Sequence, residues 1–434
     1  MRSILAMALL LLTLIALSPP DARGQGAIQV TNDEVLNRFQ EGEILFRLAV
    51  RSDSPIQKVI LRYKILPDGA LTVAEPTFTS GPQVSVTFRL KGNDPPRIYI
   101  HPGATVEYYW EVEDASGQAH TTEKATVAYA DDRFPWQSAI EGNLTVYWYA
   151  GNEAAARSLL TVGRETLDQM SQLLDTQVDF PVKVWVYASP GDMRAAIQGR
   201  SPTFEQQVFT AGQRVSSDTV VTTGGGGAPD TLRHELTHIV TKQAGEGPFG
   251  DLPAWLDEGT AMYAQGSPGT GFLGALESAL DRNRPLSLRS MSSPPGNPSA
   301  VNLFYGQAWS VVTYLVETYE PERFAQLFAV FKKGSTVDRA LQAVYGFDLA
   351  GLEDEWRANL GLAPQPPAVP TPPPLPQPAP RPQPEQAPAP GAQPTAPTGD
   401  EGAPVITIAV ITALALVVLA LATTSSVMLV RRLR

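Results

Sequence analysis

The 434-residue chain contains no cysteine. A disulfide framework and a thiolate metal site are therefore both excluded. Histidine is almost as scarce, with four in the whole chain. A bound metal would have to be held by histidine and carboxylate side chains. Positive charge is in deficit as well: 33 Lys and Arg stand against 44 Asp and Glu, a net charge of -11 at pH 7. A nucleic-acid binder needs a basic surface, so nucleic acid is not an expected partner. No lysine follows the four glycines at 224–227, so that run lacks what a phosphate-binding loop requires.

Apolar residues make up 43% of the chain, enough for at least one sizeable core, and the length suits two or three domains. Both ends carry a distinctive pattern. Residues 1–17, MRSILAMALLLLTLIAL, place one arginine before a short apolar run, and small residues follow. This predicts a secretory signal peptide over 1–26. Residues 404–430 contain the uncharged run VITIAVITALALVVLALATTSSVMLV, and RRLR follows at 431–434. A helix over that run would reach about 39 Å, enough to cross a bilayer with some tilt. Arg431, Arg432 and Arg434 would anchor a cytoplasmic tail. The expected topology is single-pass, with the body outside the membrane and one C-terminal transmembrane helix. Residues 363–402 are dominated by Pro, Ala and Gln and read as an extended stalk. The lack of cysteine fits a bacterial envelope protein.

Residues 27–135 alternate apolar and polar positions. Ile44, Phe46, Leu48 and Val50 share one face, as do Val59, Leu61, Tyr63 and Ile65. Val84, Val86 and Phe88 repeat the pattern, and so do Val106, Tyr108, Trp110 and Val112. Period-two patterning between Pro, Gly and Asp turns, with no helical run, predicts an all-β sandwich. YYWEVEDASGQAHTT weakly resembles the late strands of immunoglobulin-like or fibronectin-like modules. Residues 140–362 read differently. Strands near 144–150 and 181–189 flank a helical stretch at 152–174, which Gly163 weakens in its middle. An edge strand is expected within 220–223, before the glycines. Helical segments then follow to about residue 361. This order predicts an α+β lobe with helices packed on a small sheet.

The stretch TLRHELTHIV, residues 231–240, carries two of the four histidines. Pro229, Asp230 and Thr231 are good helix-start residues, and Leu232, Leu236, Ile239 and Val240 supply a buried stripe. His234 and His238 are four residues apart, so they stand one turn above each other on one helix face and can reach one zinc ion. Glu235 sits on the rim beside them, placed to take a proton from water and not to ligate. A site open to substrate needs one further protein ligand. The next carboxylates are Glu246, Asp251, Asp257 and Glu258. Asp257 and Glu258 are adjacent on an apolar helical segment and point about 100° apart, so one of them would face the metal. The residues alone leave that choice open.

HELTH followed by LPAWLDEGTAMY resembles the gluzincin zinc metallopeptidases, and most closely the peptidase MA-like domain. The similarity spans about residues 140–361. The resemblance implies a W-x-x-E-G box at Trp255, Glu258 and Gly259, with His234, His238 and Glu258 as ligands of one zinc and Glu235 as general base. It also implies a tyrosine ahead of the helix that closes the site, a position that Tyr305 occupies. Some relatives carry an acidic residue four positions after the third ligand, where this chain has Met262. A carboxylate bracing a histidine would then fall elsewhere, with Asp257 as the candidate. The implied activity is hydrolysis of a protein or peptide substrate, with endopeptidase cleavage as the leading expectation. Two alternatives stand beside it: an inactive peptidase-like surface protein that binds through its sandwich, and a zinc aminopeptidase. The latter needs an acidic anchor for the substrate amine.

Overall fold

The structure, a computed structural model, describes residues 27–91, 99–197 and 211–363. The signal segment 1–26, residues 364–402 of the stalk, the apolar span 404–430 and the basic tail lie outside the described residues. Among the described residues no helix is long and apolar enough to cross a membrane.

The first sheet holds β1 (Gln29–Arg38), β2 (Glu43–Leu66), β3 (Thr72–Ala74), β4 (Gly81–Lys91), β5 (Ala104–Asp114), β6 (Ala119–Thr121) and β7 (Ala125–Tyr129). Every pairing in it is antiparallel. β2 is the organising strand. Its first half pairs with β1 and β4, and its second half pairs with β5 and β3. The register shifts on both sides around Ile56, the kind of irregularity at which a strand bends. Across that bend Phe46 meets Tyr108 of β5, with ring centroids 5.1 Å apart. The sandwich expected over 27–135 is corrected in this respect. Its strands form one hydrogen-bonded sheet, because β2 is continuous for 24 residues and serves both layers.

The second sheet has the order β11-β12-β10-β9-β8, built from β8 (Gln137–Glu141), β9 (Leu144–Trp148), β10 (Val182–Tyr187), β11 (Gly212–Arg214) and β12 (Thr219–Thr223). β9, β10 and β12 run parallel, and the two outer strands are antiparallel to their neighbours. The helix α1 (Glu153–Leu173) makes the crossover between β9 and β10, capped where the Asn152 side chain accepts a hydrogen bond from the Ala155 amide. Gly163 is where α1 crosses closest to the core. A Cβ there would lie 2.7 Å from Leu144 and 3.2 Å from Leu236. The glycine that weakens the helical pattern is what allows the helix to dock. Further helices follow as α2 (Pro190–Met193), α3 (Ala228–Gly245), α4 (Ala254–Ala264), α5 (Thr270–Asp281), α6 (Val301–Thr318), α7 (Pro321–Lys332), α8 (Val337–Tyr345) and α9 (Leu349–Asn359).

Parallel strands are buried on both faces, and β10 shows both. Val182 and Val184 join the core under the helices. Trp185 and Tyr187, with Val221 of β12, join the core of the first sheet. The close approach at Gly103 makes the contact tight, since a Cβ there would come within 2.7 Å of the Trp185 ring. The regions expected at 27–135 and 140–362 thus meet through a shared apolar layer.

Candidate active site

Two helices build the site. α3 opens with Pro229 and Asp230 in its first turn, both favourable at a helix start. Leu232, Leu236, Ile239 and Val240 are buried in the core. His234 and His238 stand together on another side, ring centroids 4.9 Å apart. α4 brings the carboxylate. Its placement depends on Gly259, where a Cβ would collide with the Ala308 carbonyl and the Val312 side chain of α6. With that close approach, Glu258 Oε2 lies 3.2 Å from His234 Nε2 and 3.5 Å from His238 Nε2. One donor atom from each of the three residues falls within 4.8 Å of the others. Nitrogen and oxygen ligands at about 2.0–2.1 Å from zinc in tetrahedral directions stand about 3.4 Å apart. The donor set therefore fits zinc in chemistry and in spacing.

Geometry separates the two carboxylates that the residues alone left open. Asp257 does not join the cluster of Nε2 atoms. Its Oδ1 lies 3.0 Å from His238 Nδ1 and accepts a hydrogen bond from the Thr241 hydroxyl. Of the other carboxylates, Glu246 pairs with Lys242 at 3.0 Å and Asp251 is exposed. His101 and His120 belong to the first-sheet region and are not in the cluster.

The cluster is electrostatically tense. Burial alone would lower the His238 pKa, but the neighbouring Asp257 and Glu258 carboxylates outweigh it and hold it well above the ordinary value. Burial would raise Glu258, yet His238 and His234 hold it well below the usual carboxylate range. Asp257 is held low in the same way, mainly by His238. Two part-buried carboxylates beside two imidazoles form a place suited to added positive charge.

Glu235 lies next to the cluster, and its Oε2 accepts a hydrogen bond of 2.7 Å from the Arg214 amide. Arg214 belongs to β11, and this corrects the expected edge strand. Residues 220–223 lie inside the sheet, paired on both sides, while β11 is the edge. β11 passes so close to α3 that a Cβ on Gly212 would sit 2.6 Å from Thr231 and 3.1 Å from Glu235. A glycine in a strand marks such an approach; weak strands were expected over 208–225, but the pattern did not show that Gly212–Arg214 forms the edge. Tyr305 lies within the first turns of α6, not ahead of the helix, with its ring 6.2 Å from that of His234. A cleft of about 720 Å³ runs past all of these groups, with Met262, Phe272 and Asn302 among its walls. Thr241, Gly212 and Arg214 are the site residues that sequence reasoning missed.

Residues 162–361 match the family model described as Peptidase MA superfamily, and this part of the chain is a gluzincin-like peptidase MA domain. No curated protein matches the chain. Similar solved structures include OgpA from Akkermansia muciniphila, at 9% identity and a TM-score of 0.20, covering 25% of this chain and 28% of that one. A catalytically inactive OgpA solved with an O-glycopeptide is similar at 8% identity and a TM-score of 0.19, covering 25% of this chain and 30% of that one. The chain thus spans less than a third of the OgpA chains it matches. An M1 zinc metallopeptidase from Deinococcus radiodurans is similar at 13% identity and a TM-score of 0.34, covering 81% of this chain and 98% of that one.

Proposed function

We propose that the chain is a zinc-dependent endopeptidase, held on the outer face of a bacterial membrane by residues 404–430 and exported through the signal segment 1–26. The observation that carries the catalytic reading is the convergence of His234, His238 and Glu258 beside Glu235 in an open cleft edged by β11. In this reading His234, His238 and Glu258 hold one zinc ion, and Asp257 orients His238 through Nδ1. When bound, zinc supplies Lewis acidity for the attack of water on a carbonyl. Glu235 takes the proton of the attacking water. Its Oε2 is held by the Arg214 amide, which leaves Oε1 as the acceptor. Glu235 then returns the proton to the departing amine. Tyr305 donates a hydrogen bond to the oxyanion that develops at the attacked carbonyl. A substrate peptide lies extended along the edge of β11.

The cleft favours endopeptidase over aminopeptidase cleavage. Among its described lining residues the acids are Glu235, Asp257 and Glu258, all committed to the centre, and Arg214 adds a cation. Among the described lining residues no further carboxylate remains to hold a substrate amine. The inactive-binder reading would leave this donor set without a use.

The test uses the full chain in detergent. Elemental analysis is expected to find about one zinc per chain, lost in His234→Ala and in His238→Ala. Glu235→Gln is expected to keep the zinc and to lower the hydrolysis of an unstructured protein at least about a hundredfold. A chain that takes up no zinc, or whose hydrolysis survives Glu235→Gln, overturns the reading.

A further inference from the structure

The first sheet reaches the site through one turn. Asp68 lies between β2 and β3, just before Gly69, whose amide closes the turn onto the Ile65 carbonyl at 2.7 Å. The Asp68 carboxylate accepts a hydrogen bond of 2.7 Å from the amide of Ser217, 149 residues away in sequence. Ser217 sits in the tight connection between β11 and β12. That connection is closed by Val215 donating to the Thr219 carbonyl at 2.9 Å and by the Ser216 hydroxyl donating to Asp218 at 2.7 Å. Three residues before Ser217 is Arg214, whose amide holds Glu235.

β11 lies against α3 at Gly212, and its start is tied to β12 where Ala211 accepts from the Thr223 amide at 2.9 Å. It is three residues long and pairs on one side only, with β12. Its other edge faces α3 and the cleft. The Asp68 turn and α3 face each other across open space. A second cavity, of about 690 Å³, lies there, lined by Pro67, Asp68 and Ser217 from one side and by Ile239 and Lys242 of α3 from the other. The Asp68–Ser217 hydrogen bond is a direct polar link from the tip of the first sheet to the β11–β12 turn, and Lys183, 3.4 Å from both the Gly103 carbonyl and Asp218, bridges the same turn at its other end. The low pKa of Asp68 agrees with this. Partial desolvation of the carboxylate would raise it, but the bonds from Ser217 and the nearby charges of Lys242 and Arg214 outweigh that effect.

We infer that Asp68 is a positioning residue for the site: through the Ser217 amide it fixes the β11–β12 turn, and so the Arg214 amide that holds the base Glu235. The first sheet is then part of the catalytic apparatus and not a spacer or a separate binder. This inference rests on the peptidase reading for its kinetic consequence, but its structural consequence stands without it.

The test compares Asp68→Ala with Asp68→Asn in the full chain. Asparagine keeps an oxygen that can accept from Ser217, and alanine does not. Asp68 is exposed, so alanine removes no core packing. Hydrogen exchange of the amides over 212–218 is expected to speed up about tenfold in Asp68→Ala, to stay unchanged in Asp68→Asn, and to be unaltered in α1 in both. In the zinc-loaded chain kcat is expected to fall about tenfold in Asp68→Ala at nearly constant KM, with the asparagine variant restoring it. Zinc content and melting temperature serve as controls and should not move. Unchanged exchange over 212–218 in the alanine variant overturns the inference, and so does an unchanged kcat. If the unaltered zinc-loaded chain cleaves nothing, the peptidase reading fails, and the exchange data alone decide whether Asp68 braces β11.

Discussion

Asp257 and Glu258 are neighbours in sequence that face different atoms of the histidines. Glu258 faces the Nε2 atoms of both histidines, and Asp257 faces Nδ1 of one of them. Their 100° separation on a helix guarantees that they diverge, but not which of them points at α3. That is decided by how α4 crosses α3, and no local pattern encodes a crossing. His234, His238 and Glu235 were legible because one helical turn contains them. Glu353 shows the same limit from the other direction. It is a charged residue in an ordinary amphipathic helix, yet it is 5% exposed and accepts a hydrogen bond from the Leu288 amide. Its other oxygen is buried without a partner among the described residues. Burial raises its pKa above the usual carboxylate value. A carboxyl that binds its proton more tightly when folded costs stability as pH rises from the unfolded pKa, about 4.3, through the folded one. Glu353→Gln keeps an acceptor for Leu288 and removes the charge. Its melting temperature is expected to match or exceed that of the parent at pH 7, with the difference shrinking towards pH 4. A variant less stable than the parent at pH 7 would contradict this account.

At the scale of elements, helices were easier to read than strands. α1 and α3 carry start residues and long apolar stripes; α1 lies within a residue of the expected 152–174, and α3 starts near the expected Pro229 and runs on to Gly245. β11 is too short to show a period, and its role comes from what lies beside it. Glycines carry information of a third kind. Gly163 and Gly259 look like weak points in helices, where glycine costs about 1 kcal/mol relative to alanine. In the fold each marks a contact that a methyl group would forbid. Gly259 follows Glu258 directly, so the contact of α4 with α6 also sets the position of that carboxylate. Gly259→Ala would push a methyl into the Ala308 carbonyl and Val312. Overpacking of this kind costs about 1–3 kcal/mol. Thermal unfolding should show that loss, and a competitive zinc titration should show affinity reduced at least about tenfold as Glu258 shifts. A variant that keeps both values would mean that α4 can move without carrying its carboxylate away.

On the scale of the whole molecule the alternation in 27–135 predicted a self-contained sandwich. That pattern reports which positions are buried, but not which part of the chain buries them. β10 held the missing clue. Its pattern of Val182, Val184, Trp185 and Tyr187 leaves little polar surface on either face, as a strand covered on both sides requires. The helices cover one face, and the first sheet covers the other. Tyr187 adds a polar tie across this layer, its hydroxyl donating to buried Asp131 at 2.8 Å, and Arg133 holds the same carboxylate at 2.6 Å. Trp185 stacks on Tyr147 at 4.4 Å and meets Trp136 edge-on at 4.8 Å. Separate domains joined by a linker would melt separately. Two sheets that share such a layer should unfold together, since losing either exposes the aromatic face of the other. Calorimetry of residues 27–363 is therefore expected to show one cooperative transition. Trp185→Ala should lower that whole transition, by about 3–5 kcal/mol, instead of splitting it. Two resolved transitions in the unaltered protein would mean that the first sheet folds on its own, and that the turn at Asp68 reaches the site only as a docked neighbour.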